Sequence, residues 1–289
     1  MKSITSDWKH WINANLARGC SDSSMVEHMV AAGIDPEAAR HWLFEAKAPA
    51  DSSVGAPNAV TIAPFVLGPY RYTSTRLPQS GHVIKTHDRD VRVTMRLAQP
   101  VVAIFENVLT TEECDELVRL SSLKLKRSTV VDPGTGEVRA IDARSSQGTY
   151  FLVNESPFVA RIDRRISDLL RWPLENGEGL QILRYGVGGE YKPHFDYFSP
   201  TEPGSEKHLS RGGQRVSTLI IYLNDVEAEG ETTFPAIGLR IAPRKGSAVY
   251  FEYCNEQGQV DERTLHAGTP VAAGEKWIAT KWMREHKYG

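Results

Sequence analysis

Three short stripes of apolar residues at helical spacing open the chain. Trp8, Trp11, Ile12 and Leu16 recur on one face behind Ser6, a side chain suited to capping a helix. Met25, Val26, Met29 and Val30 form a second stripe that stops at Gly33. Asp35-Pro36 then supplies a cap followed by proline at the first helical position, with Ala39, Trp42 and Leu43 on one face. Residues 48–60 lose this periodicity and are rich in alanine, proline, serine and glycine, as linkers are. From residue 66 the pattern turns extended. His82-Val83-Ile84 and Val91-Arg92-Val93-Thr94-Met95 alternate with a period of two, which predicts edge strands or an interaction surface.

Helical spacing returns beyond Ala98. Thr110 or Thr111 precedes a predicted helix with Glu113 in its first turn and Cys114, Leu117 and Val118 facing inward. Another helix is predicted over 156–170, burying Val159, Ile162, Ile166 and Leu170. From Gly179 onward the chain reads mainly as strand, over 180–185, 216–222, 248–253 and 276–283. Strands separated by turn signals and packed on preceding helices predict an α+β fold. Its core would be a double-stranded β-helix, or jelly roll, with supporting helices and a small N-terminal helical unit. The expected organisation is a helical unit at 1–47, a linker at 48–65, an extended β segment at 66–97 and the main domain at 98–289. Two polar loops, 131–144 and 199–213, are expected as lids beside the barrel mouth.

Composition narrows the partners. A formal net charge of -2 offers no basic surface for nucleic acid and no anchor for an acidic membrane. No run approaches the ~20 apolar residues of a membrane span. Cys20, Cys114 and Cys254 are odd in number and irregularly spaced, which predicts free thiols in a reducing compartment. The first residues lack the apolar core of a signal peptide. The expected location is the cytoplasm.

The chemistry is carried by His194 and Asp196 in Tyr191-Lys192-Pro193-His194-Phe195-Asp196-Tyr197, and by His266 further along. On an extended strand, residues i and i+2 point to one side, so His-x-Asp delivers two ligands together. Two imidazoles and one carboxylate cap one face of a non-haem iron(II) and leave the opposite positions open. Zinc is the competing metal, but neither Cys-x-x-Cys nor His-Glu-x-x-His occurs. An open iron(II) site that activates O2 needs electrons, which 2-oxoglutarate donates by losing carbon dioxide. Lys276 is the cation expected to hold the far carboxylate of that co-substrate. Gly268, Pro270 and Gly274 lie between His266 and Lys276, which predicts two neighbouring strands joined by a turn. On such a hairpin the two side chains would stand roughly 13–16 Å apart, about the reach of a lysine and a five-carbon diacid.

A longer set of motifs runs from about residue 99 to 285, some two-thirds of the chain. Pro100-Val101-Val102 leads to Phe105 and the helix beyond Thr110. Arg127-Ser128-Thr129-Val130-Val131-Asp132, Arg144-Ser145-Ser146 and Gly148-Thr149-Tyr150-Phe151 follow. Then come Arg184-Tyr185-Gly186-Val187-Gly188-Gly189-Glu190-Tyr191, Gln214-Arg215-Val216-Ser217-Thr218, Gly230-Glu231-Thr232-Thr233-Phe234-Pro235 and Gly274-Glu275-Lys276-Trp277. In order and spacing these resemble the prolyl 4-hydroxylase family of Fe(II)- and 2-oxoglutarate-dependent dioxygenases. The resemblance implies His194, Asp196 and His266 as iron ligands, and Tyr185 and Thr232 as hydroxyls beside Lys276 for 2-oxoglutarate. It implies Tyr191, Arg215 and Trp282 as residues that handle a peptide near the metal. One position departs: Arg284 stands where many members carry histidine, and it is expected to bear on substrate preference.

The resemblance implies hydroxylation of a peptidyl proline, with O2 consumed, succinate and carbon dioxide released, and ascorbate as a reductant. The expected partner is a proline-containing peptide or protein. The same oxygenase class acting on a free amino acid, another side chain or a small metabolite is the nearest alternative. A binding or scaffold protein with an inactive oxygenase domain is the alternative of another class, and the intact His194, Asp196, His266 and Lys276 argue against it. The N-terminal helices resemble a ubiquitin-associated domain. A helical extension packed on the main domain is the plainer expectation for them, and recruitment of a protein partner the other.

Overall fold

The computed structural model describes residues 8, 12, 15–16, 22–32, 34–47, 70–131, 135–139, 143–199 and 202–289. The Ser6 cap, Trp11, Cys20, Gly33, the linker, the turn at 132–134 and Pro200 lie outside them. The chain divides into two compact units, residues 1–62 and 63–289.

In the first unit Trp8, Ile12, Asn15 and Leu16 are helical, followed by α1 (Asp22–Ala31) and α2 (Pro36–Lys47). The Asp35 carboxylate accepts the Ala38 amide at 3.1 Å and so caps α2 as its sequence predicts. Ile12, Met25, Met29, Ala39, Trp42 and Leu43 form a core of their own. Val30, assigned to the second stripe, is exposed instead.

The second unit is built on a long antiparallel sheet. Its chain order begins with β1 (Val83–Lys85), β2 (Asp90–Ala98), β3 (Val101–Glu106) and β4 (Lys126–Arg127). A ribbon of β5 (Val130–Val131) and β6 (Val138–Arg139) precedes β7 (Gln147–Phe151), β8 (Leu180–Tyr185) and β9 (Tyr191–His194). Then come β10 (Arg215–Tyr222), β11 (Ala228–Glu229), β12 (Thr232–Phe234), β13 (Leu239–Ile241) and β14 (Ala248–Glu252). β15 (His266–Gly268), β16 (Val271–Ala273) and β17 (Lys276–Arg284) complete the set. The long sheet runs β1-β2-β3-β14-β10-β17-β8-β7-β4, and a smaller one runs β13-β12-β15-β9. Together they make the jelly-roll core. The extended segment before residue 98 therefore supplies one edge strand, β1, and its inner neighbour β2.

Period-two alternation gives the long sheet two different faces. On β17, Trp277, Ala279 and Met283 join a core shared with the helices α3 (Thr111–Ser122) and α4 (Pro157–Leu170). Lys276, Ile278, Thr280 and Trp282 point the other way, into a cavity. The helices form where their caps are strongest. Thr110 and Glu113 make a reciprocal capping box, and Ser156 with Pro157 starts α4.

Charge holds the helical layer in place. Glu113 accepts Arg165 at 2.6 and 2.8 Å, and Arg165 also reaches the Asp88 carboxylate and the Val108 carbonyl. This ties the loop before β2 to both helices. Burial pushes the Glu113 carboxyl up, but Arg165 outweighs it and holds the group ionised. Lys281, on the helix side of β17, pairs with Asp163 of α4 at 2.7 Å. Arg165→Ala would strand Glu113 without its main cation and should destabilise the unit by about 3–5 kcal/mol. Urea unfolding measures this; a loss under about 1 kcal/mol would mean the clamp carries no stability of its own.

Candidate active site

The two histidines meet because β9 and β15 are antiparallel neighbours whose register sets His194 opposite His266. Asp196 lies two residues beyond His194, just past the strand's end, and turns into the same space. Each imidazole has its Nδ1 on a backbone carbonyl: His194 on Lys192 at 2.8 Å and His266 on Thr264 at 3.1 Å. With the Nδ1 proton on that carbonyl, the Nε2 lone pair is free for a metal. Both Nε2 atoms stand 3.6 Å from an Asp196 oxygen, and the ligand atoms of all three residues lie within 4.8 Å of one another.

Electrostatics favour the ligating forms. Burial raises the Asp196 carboxyl, yet the imidazoles of His266 and His194 and the Arg215 guanidinium hold it well below the usual range. Burial, with His194 beside it, lowers His266 to about 4, so its ring is neutral at physiological pH. The Thr218 hydroxyl donates to Asp196 Oδ2 at 2.7 Å, and the Tyr253 hydroxyl lies 3.0 Å from Thr218. Two imidazoles with Nε2 turned inward and one oriented carboxylate suit iron(II).

Lys276 enters from the opposite sheet. β15 belongs to the small sheet and β17 to the long one, while β16 between them pairs with β11. The predicted hairpin from His266 to Lys276 is therefore not formed. The chain crosses between sheets instead, turning at Gly274 with φ +73°. Both residues nonetheless line one cavity, with Tyr185, Thr232, Tyr191 and Trp282.

The Lys276 side chain is 3% exposed, and its ammonium lies 5.9 Å from the ring centres of Tyr185 and Tyr222. Among the described residues no hydrogen bond or ion pair reaches it. Burial lowers it to about 8, against a smaller opposing pull from Glu231. A buried cation without a partner fits an anionic ligand. Tyr185 is its register partner on β8. Thr232 accepts the Tyr222 hydroxyl at 2.8 Å, which leaves its own proton to donate.

Tyr191 stacks on His194, ring centres 3.5 Å apart, and Trp282 forms another wall with its indole Nε1 buried and unpartnered. Arg215 stands beside the metal face, donating to the Asp196 carbonyl at 3.3 Å, and Arg284 ends β17. Neither lines the cavity. Arg215 lies 3.8 Å over the Trp282 ring and forks onto Glu178 at 2.7 and 3.0 Å. Arg284 donates to the same carboxylate at 2.7 Å and to the carbonyls of His208 and Gly213. The cause is Glu178, a buried carboxylate that draws both guanidinium groups to itself. Sequence reasoning missed Glu178, Thr218 and Tyr253, and also Arg144 with Gln181 on the cavity wall. Thr218 left a signal, as a hydroxyl on the inward phase of an apolar strand, and Arg144 stands in one of the motifs that carry the resemblance.

A jelly roll that sets this metal-binding face and a buried ammonium into one cavity is that of a 2-oxoglutarate-dependent iron oxygenase. The 2OG-Fe(II) oxygenase superfamily model matches residues 180–284. The chain is 37% identical over 209 residues to probable prolyl 4-hydroxylase 10 of Arabidopsis thaliana, across 66% of this chain and 71% of that protein. With prolyl 4-hydroxylase 5 of the same plant it shares 38% over 209 residues, 66% and 70% of the two chains. The viral collagen prolyl hydroxylase of Paramecium Bursaria Chlorella virus-1, solved with 2OG, superposes with a TM-score of 0.50 at 28% identity. That match covers 63% of this chain and 95% of the viral one. The chain belongs to the prolyl 4-hydroxylase family of 2OG-Fe(II) oxygenases.

Thr218→Val keeps the shape of the strand and removes the donor to Asp196. It should weaken binding of cobalt(II), a probe for iron(II), by about tenfold. Calorimetric titration of the metal-free protein reads the change, and unaltered affinity would take Thr218 out of the site.

Proposed function

We propose that this enzyme hydroxylates a prolyl residue in a peptide or protein, with 2-oxoglutarate as co-substrate and succinate and carbon dioxide as co-products. The carrying observation is the buried Lys276 ammonium, unpaired among the described residues, in the same cavity as His194, Asp196 and His266. His194, Asp196 and His266 would hold iron(II) on one face. Lys276, with the hydroxyls of Thr232 and Tyr185, would take the far carboxylate of 2-oxoglutarate. Iron(II) with 2-oxoglutarate would supply the electrons that activate O2. Leu183, Ile220 and Ile278 line the cavity and keep water from the stem of the co-substrate. Tyr191 and Trp282 offer flat apolar walls on which a pyrrolidine ring can rest. Their positions are fixed from behind, Tyr191 by stacking on His194 and Trp282 by Arg215.

The N-terminal unit, with its own core, is read as recruiting a protein partner. Cys114 and Cys254 are free thiols, in keeping with a reducing, cytoplasmic setting.

The Lys276 assignment has a pH signature. Its folded pKa of about 8 lies below that of an exposed lysine, 10.5, so the ligand-free protein loses the ammonium early. Below pH 8 the cation is ready to pair. Above it a proton must be taken up on binding, so affinity for 2-oxoglutarate should fall as pH rises through 8. Stability moves oppositely: between pH 8 and 10.5 the unfolded chain binds more protons, so the ligand-free fold gains stability with pH. Lys276→Ala should weaken 2-oxoglutarate binding by about 2–5 kcal/mol and flatten the pH dependence. Equal affinity in the variant would remove Lys276 from the pocket.

Mass spectrometry for an added oxygen on proline-rich peptides, with iron(II) and 2-oxoglutarate present, tests the reaction itself. Trp282→Ala should lose most peptide-stimulated succinate formation and keep the slow peptide-independent turnover. Equal loss of both would assign Trp282 to the metal scaffold. A chain lacking residues 1–47, assayed alongside, should keep both rates on short peptides if that unit only recruits; loss of either rate would refute recruitment as its sole role.

A further inference from the structure

Residues 70–77 run as an extended strap outside the span matched by the superfamily model, and they are bound to the loop that leads into His266. The Arg71 amide donates to the Gln259 side chain at 3.1 Å, and its carbonyl accepts from Asn255 at 3.0 Å. Next to it, the Tyr72 hydroxyl donates to Asp261 Oδ2 at 2.6 Å. Asn255, Gln259 and Asp261 are all buried.

Asp261 then organises the turn before the histidine. Its second oxygen accepts the Arg263 amide at 3.0 Å and caps the short helical turn Glu262–Thr264. Its backbone carbonyl receives both the Thr264 amide, at 3.1 Å, and the Thr264 hydroxyl, at 2.6 Å. Thr264 in turn presents the carbonyl that fixes His266 Nδ1. His194 differs, since its Nδ1 partner Lys192 lies within its own strand. Of the two imidazoles, His266 is the one whose ring orientation depends on a loop, and the strap holds that loop.

We infer that Tyr72 is a positioning residue for the metal, setting the His266 ring through Asp261 and Thr264. This rests on the iron-site reading above. Without the tyrosine hydroxyl, Asp261 keeps only its amide partner and the Thr264 carbonyl can shift, so His266 Nε2 loses its aim. Outer-shell partners of this kind orient metal ligands and tune affinity.

The test uses the full-length, metal-free chain with cobalt(II) as probe. Tyr72→Phe keeps the ring and the fold and removes only the hydroxyl. It should weaken cobalt(II) affinity by about 3- to 10-fold and change the cobalt visible spectrum. Affinity for 2-oxoglutarate at saturating cobalt should stay as in the wild type. Thr75→Val is the control, because Thr75 anchors the same strap to Glu252 and not to the loop before His266. It should leave both cobalt readouts unchanged. Wild-type cobalt affinity and spectrum in Tyr72→Phe would overturn the inference while leaving the iron site standing. An equal loss in Thr75→Val would also overturn it, by showing general loosening of the strap. A wild-type chain that binds no cobalt(II) would overturn both the inference and the iron-site reading.

Discussion

The pairing of β9 with β15 is the constraint on which the active site depends. Antiparallel partners across a sheet stand about 4.5–5.5 Å apart, which is close enough for two imidazoles to share one metal. Register does what sequence distance cannot, since His194 and His266 are brought opposite each other from well-separated parts of the chain. A slip of one residue would send one ring to the other face. That register is secured from both sides, by β12 pairing on β15 and by the turn that Asp261 caps.

Charge is distributed around this pair by position relative to the long sheet. Behind the sheet, buried ions are matched: Lys281 with Asp163, and Arg165 with Glu113 and Asp88. In front, Asp196 is ionised and oriented, while Lys276 is buried with no hydrogen bond or ion pair among the described residues. An uncompensated buried cation is tolerated when a ligand completes it. The cavity is thus prepared for a metal cation at one end and a carboxylate at the other.

Much of this was legible in the sequence, because the strongest signals were local. The helix capped by Thr110 or Thr111, the helix over 156–170 and the strand over 276–283 depend on neighbours within a few residues, and each appears where predicted. The metal face was legible because His-x-Asp is a local pattern. What failed was the route between elements. Gly268, Pro270 and Gly274 read as one hairpin turn, whereas β16 pairs with β11 and carries the chain across to the other sheet. Pairing partners distant in sequence leave no local trace. Glu178 was invisible for the same reason, since its role comes from two arginines that reach it from β10 and β17.

Glu178 also accounts for the departure at position 284. A buried carboxylate can be satisfied by one guanidinium, and Arg215 already forks onto it. Arg284 brings a second cation to the same group and turns its Nη1 donors to the carbonyls of His208 and Gly213, in the segment that follows Asp196. A neutral imidazole, with at most one donor, could not reach all three. The arginine therefore works from outside the cavity lining. Its effect on substrate passes through the placement of Trp282 and of the 202–213 segment, and not through contact with the reacting carbon.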